Sequence, residues 1–419
     1  MTGPRRLLLL VLVLISTFAA EAAGATSRPS GRIEIELLTV YPGDDAVTMF
    51  GHSALRVIDP RDETDWVFNW GTIRVTPDLA WRFVGGGLVY FVSVESFDHA
   101  LRGYRRDNRR VVGQLLDLSP VDAARMERAM EQNALPENAE YAYHHFDANC
   151  TTKVRDLIDE HTGGALRKVA VGPSARTLRH HLYQVGAPPV ETVLGLDLTT
   201  NARLDQPITN WEALFLGQNL HAAMAQASRV DGKGPLVMAD RVHNERKGPP
   251  AARVAVRPGW VVFGGAALLL LIVLGASLLD RPLPTVEFWG LMVLGLFAGL
   301  GGLLGVVLWS YSDLAVFTDN QCLIHLWPTD LALIVVGPIG LTRGGRWAAG
   351  LWTYLVLHVA VSGVALLLLA TGVLQQQVWP MAVPSLVAFA AAAAVVWQAW
   401  HAEDGQDEGP EPEGLSHQG

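Results

Sequence analysis

Residues 52–72, HSALRVIDPRDETDWVFNWGT, decide the fold of the N-terminal half of the chain. Two segments rich in β-branched and aromatic residues, 52–58 and 65–72, are separated by the turn-forming run DPRD. Turn residues between two such segments are typical of a β-hairpin. The sequence therefore predicts a hairpin with His52 at the start of one strand and Asn69 on its partner strand.

Further strands and helices are predicted around this hairpin. Ser119 and Pro120 favour the start of an amphipathic helix, because serine caps a helix and proline fits its first turn. Asn149 is placed to cap a second helix over residues 150–161, which Gly163-Gly164 ends. The other predicted strands cover residues 33–39, 88–94 and 111–118. Together these elements predict an α+β domain over residues 32–226.

The N-terminus has the pattern of an export signal. Arg5-Arg6 precede an apolar run over residues 7–19, and two Ala-x-Ala matches follow before residue 26. This order is typical of a secretory signal peptide, here residues 1–25, and the alternative is an uncleaved membrane anchor. In both cases the α+β domain is expected outside the cytoplasm.

The C-terminal half is predicted to be a membrane domain. Residues 227–259 are rich in Gly, Pro and Arg and predict a linker, and residues 260–400 predict an all-α bundle of about five transmembrane helices. An acidic tail, residues 401–419, is expected in the cytoplasm because five spans starting outside end inside. The four charge-free runs cover residues 260–279, 288–309, 347–373 and 378–400, and a weaker fifth run, 323–341, contains His325, Pro328 and Asp330.

Asp330 and His358 are ionisable residues that fall inside predicted spans. Asp330 and His358 are costly to place in lipid, so we expect both to face other protein groups or a cavity.

Composition excludes several classes of protein. The formal net charge of −9 falls to about −3 once the six carboxylates of residues 401–419 are set aside, and no strongly basic surface for nucleic acid is indicated. The two cysteines, Cys150 and Cys322, are too few for a disulfide scaffold or a cysteine-rich zinc site. We expect neither a metal nor a cofactor.

Cys150 and His52 are the candidate nucleophile and base. A thiol at the start of a helix lies in the positive end of the helix dipole, which favours the thiolate, and backbone N–H groups there can bind an oxyanion. Asn69 is the candidate that orients the imidazole. An inert buried cysteine, a structural histidine and a structural asparagine are the alternatives for these three residues.

Several separated motifs resemble one family. The motifs are Tyr41-Pro42-Gly43, Gly51-His52-Ser53-Ala54-Leu55-Arg56, Asn69-Trp70-Gly71, Asn149-Cys150-Thr151-Thr152 and Asp205-Gln206-Pro207-Ile208-Thr209-Asn210-Trp211-Glu212. In this order they resemble the periplasmic domain of the Lnb-type lipoprotein intramolecular transacylases. The order of His before Cys is also similar to that of circularly permuted papain-like folds of the NlpC kind.

The resemblance implies a papain-like, permuted NlpC-like domain in the periplasm, anchored in the bacterial inner membrane. It implies acyl transfer from the diacylglyceryl ester of a lipoprotein to its N-terminal amine through a thioester on Cys150, so the partners are a lipoprotein or phospholipid acyl substrate and the membrane. Asn149, Thr151 and Tyr41 are the candidates for contacts with substrate or oxyanion. The alternatives are an NlpC-type cysteine amidase or peptidase of the cell envelope, and a non-catalytic envelope scaffold.

Overall fold

The computed structural model describes residues 31–45, 48–185, 188–249, 256–279 and 283–404. The predicted signal peptide, residues 1–25, lies outside these ranges, as does most of the predicted acidic tail.

The N-terminal half contains a seven-stranded antiparallel sheet in the order β6-β4-β3-β2-β1-β5-β7. Its strands are β1 (Glu34–Val40), β2 (His52–Asp59), β3 (Thr64–Ile73), β4 (Val89–Ser96), β5 (Val111–Leu116), β6 (Glu140–Ala142) and β7 (Val237–Asn244). The predicted hairpin is confirmed as β2 and β3, and β1, β4 and β5 confirm the other three predicted strands.

Helices cover both faces of this sheet. They are α1 (Leu79–Gly85), α2 (Phe97–Arg106), α3 (Pro120–Ala134), α4 (Cys150–His161), α5 (Ala165–Val169), α6 (Leu178–Val185), α7 (Val190–Thr199) and α8 (Gly217–Met224). On one face, Met126 of α3, Ile158 of α4 and Leu220 of α8 pack with buried sheet residues such as Leu55 and Trp70. On the other face, α2 packs its buried Phe97 and Leu101 against the sheet. The predicted α+β character is therefore confirmed as an antiparallel sheet with helices.

The prediction of a linker over residues 227–259 is wrong for residues 237–244. These residues form β7, which pairs with β5 at the edge of the sheet. Most of the β7 side chains are exposed or half-buried, so the strand lacks the apolar alternation that identifies a half-buried strand in a sequence. His243 links β7 to the interior of the sheet, because its Nε2 lies 3.0 Å from Oε2 of the buried Glu36 in β1.

Among the described residues of the C-terminal half, four helices are long and apolar enough to cross a membrane. These are α9 (Pro258–Leu278), α10 (Pro284–Tyr311), α12 (Gly345–Ala370) and α13 (Trp379–Asp404), with the shorter α11 (Leu333–Arg343) between α10 and α12. The first turns of α9 and α13 lie together, because a Cβ on Gly259 would be 2.9 Å from the carbonyl oxygen of Pro380.

The prediction of about five transmembrane helices is wrong for the third of them in chain order, residues 323–341, which do not form one helix. Residues 323–341 form two 3-10 turns, Gln321–Ile324 and Pro328–Ala332, followed by α11. Proline cannot donate a backbone hydrogen bond, and α11 alone covers only about 16 Å against a hydrocarbon core of roughly 30 Å. The segment packs instead against glycines of α10. A Cβ on Gly295 would lie 2.6 Å from Asp330 O, and a Cβ on Gly302 would lie 2.5 Å from Leu326 O. Contacts with α10 thus cover one side of this irregular backbone, and protein contacts are what non-helical backbone beside long apolar helices needs.

Asp330 and His358 face protein groups, as expected, and both side chains are fully buried. The Tyr354 hydroxyl donates to Asp330 Oδ1 at 2.7 Å, and the Trp327 N–H donates to Oδ2 at 2.8 Å. His358 Nε2 lies 3.4 Å from Asp330 Oδ2, and the His358 ring stacks on Phe389. The cluster joins the irregular segment to α12 and α13.

The sheet domain and the helical bundle share an interface. Leu198 of α7 packs into the apolar cluster of the bundle. The Gln376 side chain, between α12 and α13, donates to Thr200 O at 2.7 Å, and the Asn320 side chain donates to Leu198 O at 2.7 Å. These hydrogen bonds hold the sheet domain against one end of the helical bundle.

Candidate active site

Cys150 is the first residue of α4, and Asn149 caps the helix. Asn149 Oδ1 accepts the Thr152 N–H at 2.9 Å, while the Thr152 hydroxyl accepts the Asn149 N–H at 2.8 Å. This reciprocal capping box satisfies two groups at the helix start. It fixes the position and direction of the Cys150 side chain relative to the sheet.

Both the oxygen and the nitrogen of the Asn149 side-chain amide make hydrogen bonds within the protein. Its Nδ2 donates to His145 O at 2.8 Å and to Phe215 O at 3.1 Å, in addition to the cap made by Oδ1. The side chain therefore holds two neighbouring loops against the helix start. Its predicted contact with substrate stays a prediction, and its visible role is positional.

His52 opens β2 directly after Gly51, whose φ of +80° lies in the region that favours glycine. β2 pairs with β3 only from Leu55 onward, so the first three residues of β2 have no β3 partner. The N-terminal end of α4 lies at this opening: the Ser53 and Thr151 hydroxyls are 3.1 Å apart. The half-buried thiol and the imidazole thus meet where the hairpin opens.

The environment of the Cys150 thiol favours the thiolate. Burial by itself raises the pKa, but the charge of the neighbouring His52 and a hydrogen bond from it lower the pKa. Hydrogen bonds from the Ser53 N–H and the Thr151 hydroxyl lower it further, and the result is a fall from 9.0 to about 7. At neutral pH, about half of the thiol is then ionised.

The Cys150 and Thr151 N–H groups remain open at the helix start, where the helix dipole is positive. Neither N–H bonds to an acceptor within the described part of the chain. Donors in this position are suited to an oxyanion that forms beside the thiol.

Residues 22–184 match the family model of the Lnb N-terminal periplasmic domain. These residues are therefore similar to the Lnb periplasmic domain. The resemblance drawn from the sequence motifs is thereby confirmed. No curated protein and no solved structure matches the chain.

Cys150, His52 and Asn69 all fall within the matched Lnb residues, but Asn69 does not bond to His52. Asn69 Oδ1 accepts the Gly71 N–H at 2.9 Å, and His52 Nε2 is buried without a hydrogen-bond partner among the described residues. The two side chains are close, because a Cβ on Gly71 would lie 3.0 Å from His52 Nδ1 and 3.1 Å from Asn69 Oδ1. The role of Asn69 in orienting the imidazole stays a prediction.

Tyr41 lies one residue beyond β1. It packs edge-on against His221 and under the Arg110 guanidinium. No contact joins the ring to Cys150 in the described residues, so a role in substrate binding also stays a prediction.

Three tyrosines, Tyr90, Tyr141 and Tyr143, are influenced by the charge of the thiol and were not identified from the sequence. Tyr90 of β4 stacks on Tyr143 with ring centroids 4.1 Å apart, and Tyr141 of β6 faces Tyr90 across the strand pair. Burial raises the pKa of each of the three hydroxyls, and the negative charge of Cys150 raises it further. The sequence signal was the Tyr-Ala-Tyr run shortly before Asn149-Cys150. Together the three rings form an aromatic wall, and its Tyr141 packs against the same buried cluster as Cys150.

The described residues contain no group of three or more His, Cys, Asp or Glu side chains that could hold a metal ion. Cys150 and Cys322 are both free thiols. The reactive groups that the structure places at this site are a thiol, an imidazole and backbone N–H groups.

Proposed function

We propose that this chain is a membrane-bound, cysteine-dependent acyltransferase that acts on bacterial lipoproteins. The observation that carries the proposal is that the Cys150 thiol lies at a helix start packed against the end of β2 that carries His52, a neighbour that helps to lower the pKa of the thiol to about 7. A nucleophile with its base in contact and open N–H donors nearby is the arrangement that acyl transfer needs. The similarity to the Lnb periplasmic domain supports lipoproteins as the substrate class.

The proposed reaction has two halves. In the first, the Cys150 thiolate attacks an ester carbonyl of the diacylglyceryl group, a C–S bond forms, and the C–O bond breaks. The imidazolium of His52 protonates the departing alkoxide. In the second, the α-amine of the lipoprotein attacks the thioester, a C–N bond forms, the C–S bond breaks, and His52 accepts the proton from the amine. The thiolate and imidazolium pair is then restored.

A papain-like arrangement is part of the proposal. A helix that starts with the nucleophilic cysteine packs against antiparallel strands, one of which starts with the histidine. We also propose that the catalytic domain extends through β7, because that strand completes the sheet.

We further propose that the end of the bundle facing the sheet domain is the periplasmic side of the inner membrane. The start of α9, the end of α10 and the loop before α13 all lie at this end, while Arg343 and Arg346 lie at the turn between α11 and α12. Positive residues are favoured on the cytoplasmic side. The extensive docking of domain on bundle supports a membrane-embedded substrate over the alternative of a cell-wall peptide, for which a simple tether suffices.

The test is mass spectrometry of lipoprotein N-termini from cells expressing Cys150→Ala. We expect no N-acylated lyso form with this variant and wild-type conversion with Cys322→Ala, the matched control at the other cysteine. Equal protein levels in the membrane fraction are required for the comparison. Normal conversion by Cys150→Ala would refute the nucleophile and with it the proposed chemistry.

A further inference from the structure

The short helix α1 exposes large apolar side chains although it belongs to the sheet domain. No residue of α1 is fully buried, and Trp81 and Phe83 are 59% and 46% exposed. Val75, just before the helix, is 86% exposed. We call Trp81 and Phe83 the α1 surface. Exposed aromatic residues in a small contiguous element indicate contact with an apolar partner.

Contacts with the membrane bundle fix the position of α1. The Ser312 hydroxyl donates to Val84 O, and the Asp313 N–H donates to Gly85 O at 2.9 Å, both immediately after the end of α10. Trp81 packs edge-on against Tyr311, the last residue of α10, with centroids 5.8 Å apart. The α1 surface therefore lies level with the end of a long apolar helix, where tryptophan and tyrosine favour the membrane–water interface.

A row of rings leads from the α1 surface to the nucleophile. The Phe83 ring is 4.6 Å from that of His145, and His145 is 5.4 Å from Tyr143. Tyr143 stacks on Tyr90 in the aromatic wall beside Cys150. The ring contacts thus run from Phe83 of the α1 surface to Tyr90, whose hydroxyl pKa is raised in part by the charge of Cys150.

We propose that the α1 surface inserts into the outer leaflet of the membrane and that the row from Phe83 to Tyr90 guides a lipid acyl chain to Cys150. The occupant is the acyl chain of a membrane-anchored substrate, because the surface is aromatic, lies at the bilayer edge and ends at a group suited to attack an ester. The guiding role rests on the proposed function, whereas the insertion of α1 does not. Burial of Trp81 and Phe83 in lipid removes their apolar surface from water, which favours the inserted position.

Insertion is tested with an environment-sensitive fluorophore on single cysteines. The full chain with Cys150→Ala and Cys322→Ala receives Trp81→Cys or Phe83→Cys and is placed in nanodiscs that contain lipids with a bromine quencher on the acyl chain. The control is Asp62→Cys, in the turn about 25 Å along β2 from His52. We expect strong quenching at positions 81 and 83 and none at 62. Quenching at 81 and 83 no greater than at 62 would overturn the insertion of α1.

Guidance is tested with the double variant Trp81→Ser/Phe83→Ser in the otherwise native chain. We expect conversion of a membrane-anchored lipoprotein to fall by about tenfold or more, because the path loses its apolar entrance. The alkylation rate of Cys150 by iodoacetamide should stay within about twofold, since the variant does not alter the environment of the thiol. Val121→Ser, at an exposed valine of α3, should convert lipoprotein normally.

The two proposals fail in different ways. Normal conversion by the double variant would overturn guidance while leaving the transferase assignment in place. Normal conversion by Cys150→Ala would refute the transferase, and the quenching result would still decide whether α1 lies in the membrane.

Discussion

The two cysteines of this chain occupy similar local structures and have opposite chemical environments. Cys150 follows Asn149, which caps α4, and Cys322 lies in a 3-10 turn capped by Asn320. The pKa of Cys150 falls to about 7, whereas burial raises the pKa of Cys322 to about 12. An asparagine cap and a helical start are common to both sites, so they do not explain the difference.

The partners of each sulfur explain it. Cys150 has an imidazole and an N–H donor beside it. Cys322 is fully enclosed: its thiol donates to Asp197 O at 3.2 Å, and it accepts only the Gln376 amide, also at 3.2 Å. A bond donated to a carbonyl stabilises the neutral thiol, while a cationic imidazole stabilises the thiolate. The base, and not the helix start, distinguishes a reactive cysteine from a structural one.

The largest expected effect is the difference in alkylation rate between the two thiols. At pH 7 the pKa values place about half of Cys150 but only about one part in 10⁵ of Cys322 in the thiolate form. We therefore expect Cys150 to react with iodoacetamide at least about 10⁴-fold faster than Cys322 in the folded protein. Peptide mass spectrometry over a time course measures both rates in one sample. Similar rates would remove the distinction between the two sites.

His52→Ala tests whether the imidazole causes that difference. Without it, burial dominates and the pKa of Cys150 rises, so the midpoint of the alkylation–pH curve should move from about 7 to 9 or above. Because the thiol is protonated below its pKa, the rate at pH 7 must fall. Conversion of lipoprotein should decrease by about 10²–10⁴-fold, the usual contribution of a general base.

The exposed His99 provides the control for this substitution. His99→Ala should keep both the pH midpoint and the conversion rate. An unchanged midpoint in His52→Ala would show that Ser53 and Thr151 suffice to hold the thiolate.

The sequence predicted those parts of the site that depend on local chain geometry. The hairpin followed from its turn residues, and the capping of α4 followed from Asn149, so the two ends that carry His52 and Cys150 were both placed correctly on their elements. The aromatic wall was missed because Tyr90 and Tyr141 meet only through the pairing of β4 with β6. Residue spacing contains no information about that pairing, since β6 has only three residues.

In the fold, too, features set by local sequence were predicted and features set by long-range contacts were missed. Long apolar runs identified α9, α10, α12 and α13 because a membrane helix needs only length and composition. The third predicted helix was wrong because the segment breaks before Pro328, and its packing depends on the distant Gly295 and Gly302 of α10. Strand β7 was missed for a related reason: its partner, β5, lies more than a hundred residues earlier in the chain.

Gly71→Ala should perturb the reactive site alone, and by less than the loss of His52. The new methyl would lie 2.5 Å from Cε1 of His52, so the imidazole must move away from its present position. We expect conversion to fall by about tenfold, because small displacements of a catalytic group are costly. Gly103→Ala is the matched control, since a Cβ there meets nothing within 4 Å. Full activity of Gly71→Ala would show that the position of the ring tolerates such a shift.

The smallest effect is expected at the second cysteine. Cys322→Ala should leave conversion within about twofold of wild type and lower the free energy of unfolding by about 1 kcal/mol, the usual net value of one hydrogen bond. The loss is limited because the Gln376 amide keeps its bonds to Thr200 O at 2.7 Å and to Asn320 Oδ1 at 3.0 Å. Denaturation of the detergent-solubilised protein measures the stability change. A large loss of conversion without unfolding would mean that Cys322 acts in the reaction. The difference between Cys150 and Cys322 would then need an explanation other than the presence of His52.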